Sequence, residues 1–259
     1  LGCKLGSIPF TYLGLPMGTT SPTVTDLMPL VALVERRPSS AATLLDLGSK
    51  LTLVNSVTTS LTIYAMCSIK IPPKVLDHLD KLRRYWLWAK SSDDGTKAVS
   101  LAAWELVFRP KNKGGLGVID LKIQNQGLLL KMLHKFYNQL DVPWVKLIWS
   151  AYYAGSIPHA NDPCGSFWWR DIMQLTSIYR GITTVEVGDG ATFLFWKDMW
   201  RSNILSDSHP GICSFSKNED VSVYDLLTAS TLGQNFNLPL SIQARANFRI
   251  FKPAWPMWS

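Results

Sequence analysis

The chain has 259 residues, 47 % of them hydrophobic and 11 % aromatic, with a formal net charge of +7. That apolar content is enough for one large or two small domains with real cores, which excludes disorder throughout. The charge is uneven: residues 70 to 135 hold 13 Lys and Arg against 6 Asp and Glu, which is the whole of the excess. A basic stripe of this kind either attracts a polyanion through counterion release or serves only as a solvated helix surface.

In chain order, Pro9-Phe10-Thr11-Tyr12-Leu13-Gly14-Leu15-Pro16-Met17-Gly18 is the first element. It reads as a tight turn in which Gly14 and Gly18 permit conformations closed to other residues and Pro16 fixes φ. Taken alone it is a hairpin with Phe10 and Tyr12 in a core. Ser21-Pro22 supplies a cap and a first-turn proline for a helix to about Arg37, broken by Pro38 and Ser39-Ser40. A second helix is predicted from about Ser49 to Met66, with Leu53, Val57, Leu61 and Ala65 on one face. After Pro72-Pro73 comes a third, over 73–89, with Val75, Leu76, Leu79, Leu82 and Trp86 at helical spacing and Lys74, Lys81 and Arg84 on a different face. Residues 104 to 121 pass through Arg109, Lys111 and Lys113 into Gly114, Gly115 and Gly117. This loop presents cations to a nucleic-acid backbone or simply starts the next helix, since G-G-x-G is a weak match to a phosphate cradle. That helix runs from about Leu121 to Asn138, with Leu129, Met132, Leu133 and Phe136 as its buried stripe. Pro143-Trp144 opens another through Trp149 to Tyr153, and Ser166 caps one carrying Phe167, Trp168, Ile172 and Leu175. Residues 183–187 and 192–196 alternate around Gly188-Asp189-Gly190, which predicts a β-hairpin. The paired tryptophans of this last part are expected in a core, although exposed ones could stack on bases.

Several of these segments form an ordered series: the Tyr12-Leu13-Gly14-Leu15-Pro16 turn, Gly48-Ser49-Lys50-Leu51-Thr52-Leu53-Val54-Asn55-Ser56-Val57, Lys81-Leu82-Arg83-Arg84-Tyr85-Trp86-Leu87-Trp88, then Trp104-Glu105-Leu106-Val107-Phe108-Arg109-Pro110-Lys111-Asn112-Lys113-Gly114-Gly115-Leu116-Gly117. Gly165-Ser166-Phe167-Trp168-Trp169 and Val187-Gly188-Asp189-Gly190 with Phe195-Trp196 complete it. The series resembles the C-terminal half of plant LINE-type non-LTR retrotransposon reverse transcriptases, from the primer-grip turn through the thumb toward a reverse-transcriptase zinc-binding segment. The resemblance covers roughly residues 1 to 245. It implies a mainly α fold with a small β component: a helical thumb-like bundle, then a small aromatic-rich α+β segment with a β-hairpin. The corresponding divisions are 1–20 for the turn, 21–140 for the thumb-like region with the basic stripe, 141–245 for the aromatic-rich linker and 246–259 for a divergent tail.

The resemblance also implies roles. Phe10, Tyr12, Leu13, Gly14 and Gly18 would form the primer-grip turn. Lys50, Lys81, Arg83 and Arg84, together with Arg109, Lys111 and Lys113, would touch the backbone of an RNA/DNA template-primer without reading sequence. The family's polymerase aspartates precede the turn, so its Mg²⁺ would belong to a palm absent from this chain, and the fragment itself would bind no cofactor and catalyse nothing. On this reading the chain is a truncated, degenerate copy, and its start at Leu1 marks a partial gene or chain. The contrasting expectation is a domesticated helical module that binds a protein partner through exposed apolar surface.

Other chemistry finds little support in the residues. Two-metal catalysis needs clustered carboxylates, and Asp93-Asp94 sits in a polar stretch of turn composition. Cys3, Cys67, Cys164 and Cys213 are too far apart for a C-x-x-C knuckle, and His78, His134, His159 and His209 form no partner set. Dispersed thiols without secretory features predict an intracellular chain, nuclear or cytoplasmic and not secreted. Leu51 to Ile69 carries no charge, but its Ser, Thr and Asn content predicts a buried helix rather than a membrane span.

Overall fold

A computed structural model describes residues 7–36, 45–88, 100–153, 164–183, 188–200, 203–229 and 231–251. Asp93-Asp94, Cys3, His159, residues 184–187 and the tail from 252 onward lie outside them. The chain is mainly helical with a small β component. It divides into two compact units, residues 1–132 with 165–172, and residues 133–164 with 173–259. The division falls inside one long helix and returns residues 165–172 to the first unit.

The first unit opens with an antiparallel hairpin, β1 (Phe10–Tyr12) and β2 (Leu15–Met17), in the register Phe10↔Met17 and Tyr12↔Leu15. Leu13 (φ 48°) and Gly14 (φ +81°) form its turn. Positive φ at both central positions matches the twist of the strands, and glycine is the residue that takes it without strain. Gly18 has no positive φ, and a Cβ there would meet its nearest neighbour at an ordinary 3.8 Å, so its expected conformational role is not required.

Helix α1 (Met28–Arg36) follows a 3₁₀ turn over Thr25–Leu27. The chain enters the turn at Thr23 rather than at the predicted Ser21: the Thr23 amide and hydroxyl donate to Asp26 Oδ2 at 2.8 and 2.7 Å. These bonds hold the Asp26 carboxyl below the usual carboxylate value. Helix α2 (Leu47–Leu53) is capped by Asp46, whose Oδ2 accepts from the Gly48 amide at 3.1 Å, and it runs through a π-helical turn, Val54–Thr58, into α3 (Thr59–Ser68). The hydroxyls of Thr52, Ser56, Thr58, Thr62 and Ser68 donate to carbonyls one turn back. Satisfied in this way, Thr58 and Thr62 sit in the interior, with Thr59 buried beside them. The buried line is therefore Val54, Thr58, Thr62, Ala65 and Met66, one residue away from the predicted line, of which Leu53, Val57 and Leu61 are only half-buried. No helix among the described residues is long and apolar enough to cross a membrane.

Helix α4 (Pro73–Trp88) buries Val75, Leu76, Leu79, Trp86 and Leu87 in the first unit's core. A short helix α5 (Trp104–Val107) and a 3₁₀ turn, Lys111–Lys113, lead to α6 (Leu121–Tyr137). Asn125 on α6 locks the joint between α3 and α4. Its Nδ2 donates to the Met66 and Ile69 carbonyls at 2.8 and 3.0 Å, and its Oδ1 accepts from the Ile71 amide at 2.9 Å. All three orphans of a helix end and its exit are thus paired away from water. Helix α7 (Pro143–Tyr152) belongs to the second unit, whereas α8 (Phe167–Met173) begins in the first, capped by Ser166 as predicted. Trp168 Nε1 donates to the Ser68 carbonyl at 2.7 Å, a second bond on the same helix end.

In the second unit, Phe136 stacks on Trp149 with ring centroids 4.7 Å apart and meets Tyr153 edge-on. Helix α9 (Thr176–Ile182) follows, then a two-residue hairpin, β3 (Met199–Trp200) and β4 (Asn203–Ile204). Short helices α10 (Leu205–Ser208), α11 (Pro210–Cys213), α12 (Val223–Thr228), α13 (Leu232–Asn235) and α14 (Ile242–Phe251) complete it. The other arm of the predicted hairpin, 184–187, lies outside the described residues; segment 192–196 bonds to the chain near 222, where the Phe195 amide donates to the Val221 carbonyl at 3.0 Å and the Val223 amide to the Phe193 carbonyl at 2.9 Å. Burial explains the choice, because Phe193, Phe195 and Trp196 gain a core with Val221, Val223, Ile212 and Phe236. Gly190 (φ +76°) allows that approach, since a Cβ there would lie 3.1 Å from Val223. The paired tryptophans 168 and 169 and Trp196 are structural, half-buried or buried, as expected of core residues.

Candidate nucleic-acid interface

Helix α4 divides its charges between two environments. Lys74, Lys81 and Arg84 are exposed, and Asp77 lies among them on the same side of the helix. Arg83 turns the other way. Its side chain is 0 % exposed, its Nη1 lies 2.8 Å from Asp80 Oδ1, and its Nη2 donates to the Ile119 carbonyl at 2.8 Å. Burial pushes the Asp80 carboxyl above its ordinary value, with the Arg83 charge opposing that rise. A guanidinium with these partners is a structural clamp between α4 and the segment entering α6, and a phosphate cannot reach it. The expectation that Arg83 contacts a backbone is corrected on that ground.

Arg84 is a neighbour with a different task. Its Cζ lies 5.2 Å from the Trp104 ring centroid, and Arg83 Cζ lies 6.0 Å from the same ring. Trp104 is itself buried at the start of α5 and packs edge-on against Phe108. The indole face therefore fixes the direction of the exposed Arg84 through a cation–π contact.

The loop after α5 is built on its glycines. Gly114 (φ +78°) ends the 3₁₀ turn, the Gly115 amide donates to the Pro110 carbonyl at 3.2 Å, and the Gly117 amide donates to the Arg109 carbonyl at 3.0 Å. A Cβ on Gly115 would lie 2.0 Å from the Arg109 carbonyl oxygen, so no other residue fits this crossing. Folded back on itself, the loop leaves Arg109, Lys111 and Lys113 exposed. It is tied to α4 at both ends, through Trp104 before it and through the Ile119 carbonyl after it. The remaining predicted cation, Lys50, is buried on α2 and so does not join this surface.

The hairpin residues behave differently from a core turn. Phe10, Tyr12 and Leu13 are 50, 59 and 68 % exposed, and Ile8 and Met17 are exposed beside them, while Leu15 alone is buried. The hairpin is thus an apolar finger. The placement of Phe10 and Tyr12 in a core is corrected, because their strand is one half of a two-stranded ribbon and both side chains are exposed among the described residues.

Among the described residues no group of three or more His, Cys, Asp or Glu side chains is arranged to hold a metal ion. Cys67 and Cys164 are half-buried thiols, and Cys213 is buried, which pushes its thiol up.

Comparison with known proteins finds two relatives in Arabidopsis thaliana. The chain is 31 % identical over 164 residues to a protein named "Putative ribonuclease H protein", a match over 61 % of this chain and 26 % of that protein. It is 28 % identical over 148 residues to an uncharacterized mitochondrial protein, over 54 % of this chain and 92 % of the relative. The chain therefore spans about a quarter of the first relative's length and nearly all of the second. No protein-family model and no solved structure matches it.

Three functional details escaped the sequence reading. Arg83 and Arg84 are adjacent and chemically identical, and helical phase sends Arg83 inward to Asp80 three residues earlier; the i, i+3 spacing of Asp80 and Arg83 on the apolar side was the available signal. Trp104 as a platform for Arg84 carried none. Asn125 sits on the buried stripe of α6, and a lone amide there was the sign of a backbone clamp.

Proposed function

We propose that this chain derives from a retroelement reverse transcriptase and that its first unit grips the sugar–phosphate backbone of an RNA/DNA template-primer, with no catalysis of its own. The ordered motifs, the similarity to a relative named for a ribonuclease, and the basic stripe all support a retroelement origin. The observation that carries the grip is the fixed pairing of two basic elements. Lys81 and Arg84 on α4, and Arg109, Lys111 and Lys113 on a glycine-locked loop, are exposed cations on two segments joined by the Arg83 clamp and the Trp104 platform. Exposed cations carried on two tied segments suit a backbone contact, whose strength comes from counterion release.

The test is binding of the full chain to an RNA–DNA hybrid and to duplex DNA of unrelated sequence between about 50 and 200 mM salt. The proposal expects similar affinities for different sequences and a steep fall with salt. Absence of binding at low salt by folded protein would sink it. The second reading, a protein-interaction module, is favoured by one specific feature, the exposed apolar finger of Ile8, Phe10, Tyr12, Leu13 and Met17. A chain that ignores both nucleic acids, and whose self-association or partner capture is lost when Phe10 and Leu13 become Ser, would be that module.

A further inference from the structure

The second unit contains a half-open cleft of about 520 Å³ that shares no residue with the basic surface. Its volume falls in the range of small-molecule sites. Its charges cancel internally. Arg180 Nε lies 3.1 Å from Asp198 Oδ1, with the two side chains 15 and 5 % exposed, and Asp198 Oδ2 accepts from the Leu194 amide at 2.7 Å. An approaching anion would meet Asp198 beside Arg180, and a cation would meet the reverse. The pair therefore brings no net charge to the cleft.

The hydrogen-bonding groups around the cleft are equally defined. Asn138 Nδ2 donates to the His134 carbonyl at 2.8 Å, which fixes the orientation of the amide. The same nitrogen and the Tyr179 hydroxyl each lie 3.3 Å from His134 Nδ1. Tyr137 stacks on Tyr179, centroids 5.4 Å apart, and Arg180 Cζ lies 5.7 Å from the Tyr137 ring. Burial pushes both phenols up, so they stay protonated donors. Ile182 and Phe193 supply apolar lining.

We infer that this cleft takes an unpaired nucleobase, held flat against its apolar lining and read along its polar edge. A nucleobase is uncharged, planar, and carries donors and acceptors on its rim alone, which is the complement of this lining. Bases displaced from a strand are bound in this manner by side chains that satisfy their edges while apolar groups cover their faces. The site is independent of the duplex grip, because the two use different residues in different units.

The experiment titrates the full chain with the four free ribonucleosides and with four homopolymeric single-stranded oligoribonucleotides, followed by calorimetry. The variants are Thr192→Trp, which fills the cleft, and Tyr179→Phe, which removes one hydroxyl; circular dichroism verifies the folding of each. We expect one nucleoside to bind with a Kd of about 1 mM or tighter, its homopolymer to bind at least about tenfold tighter still, and Thr192→Trp to abolish nucleoside binding. Tyr179→Phe weakens that binding several-fold and serves alone if Thr192→Trp does not fold. Nucleoside binding without tighter oligomer binding supports the same site and makes its source a free nucleoside. The inference is overturned if no nucleoside binds, or if binding is unaffected by folded Thr192→Trp and Tyr179→Phe. Oligomer binding that is equal for all four bases and unaffected by these variants overturns it as well, since the backbone grip then accounts for everything.

Discussion

Replacing Arg83 by Met is the most informative perturbation of the first unit. The Asp80 side chain, 18 % exposed, loses its counter-charge, and the Ile119 carbonyl loses its donor. Breaking a buried pair by removing one partner costs about 3–5 kcal/mol, and an orphaned carbonyl adds about 1 kcal/mol. Methionine restores part of the apolar volume of the arginine stem, so the expected loss is about 4 kcal/mol at pH 7. The double variant Asp80→Asn with Arg83→Met removes the stranded charge and should recover at least about half of that loss. The pH dependence has a definite sign. Burial already raises the Asp80 carboxyl, and without Arg83 it rises further. The folded variant then holds the proton more tightly than the unfolded chain does, so its deficit against wild type is full above the raised value. The deficit shrinks as pH falls toward the unfolded carboxylate value of about 3.9. Urea unfolding followed by tryptophan fluorescence at several pH values measures this. A deficit under about 1 kcal/mol at pH 7, or one that grows on acidification, would refute the clamp.

Asn125→Ala should cost about 3 kcal/mol, since three backbone groups lose their partner, and hydrogen exchange should show the Ile71 amide losing protection. Two glycines should respond with opposite signs. Gly115→Ala forces a Cβ onto the Arg109 carbonyl and should lower stability by about 2 kcal/mol or more, with faster tryptic cleavage after Lys111 and Lys113. Gly127 is exposed on α6 with nothing within 4 Å of a built Cβ, so Gly127→Ala should raise stability by about 0.5–1 kcal/mol in thermal unfolding. Buried Cys213, its thiol pushed up, should react with an alkylating reagent at pH 8 more slowly than half-buried Cys67 and Cys164.

Helix positions were legible wherever apolar periodicity decided them. The helices α4, α6 and α7 fall where Val75 to Trp86, Leu129 to Phe136 and Trp144 to Trp149 place them, and Ser166 caps α8 as its type suggests. Periodicity failed for α2 and α3, because threonines that bond back to their own helix are free to enter a core that apolar counting reserves for leucine. It failed also after Gly190, where 192–196 makes a single bridge from Leu194 to Ser222 and buries four successive residues, Phe193 to Trp196, in place of alternating. At the candidate interface the cations were visible by type, yet burial sorted them: Lys50 and Arg83 went inside, while Lys81, Arg84 and the loop stayed out. Charge alone carries no information about direction, and only the tertiary partners, Asp80 and Trp104, supply it.

The most direct measurement of the proposed grip is the salt dependence of binding to an RNA–DNA hybrid for three proteins: the wild type, Lys81→Gln with Arg84→Gln, and Lys111→Gln with Lys113→Gln. Each cation that neutralises a phosphate contributes about one unit to the slope of log K against log salt. The account predicts a slope lowered by about two in each double variant, with weakening that is uniform across sequences. Slopes equal to that of the wild type in both folded variants would contradict it.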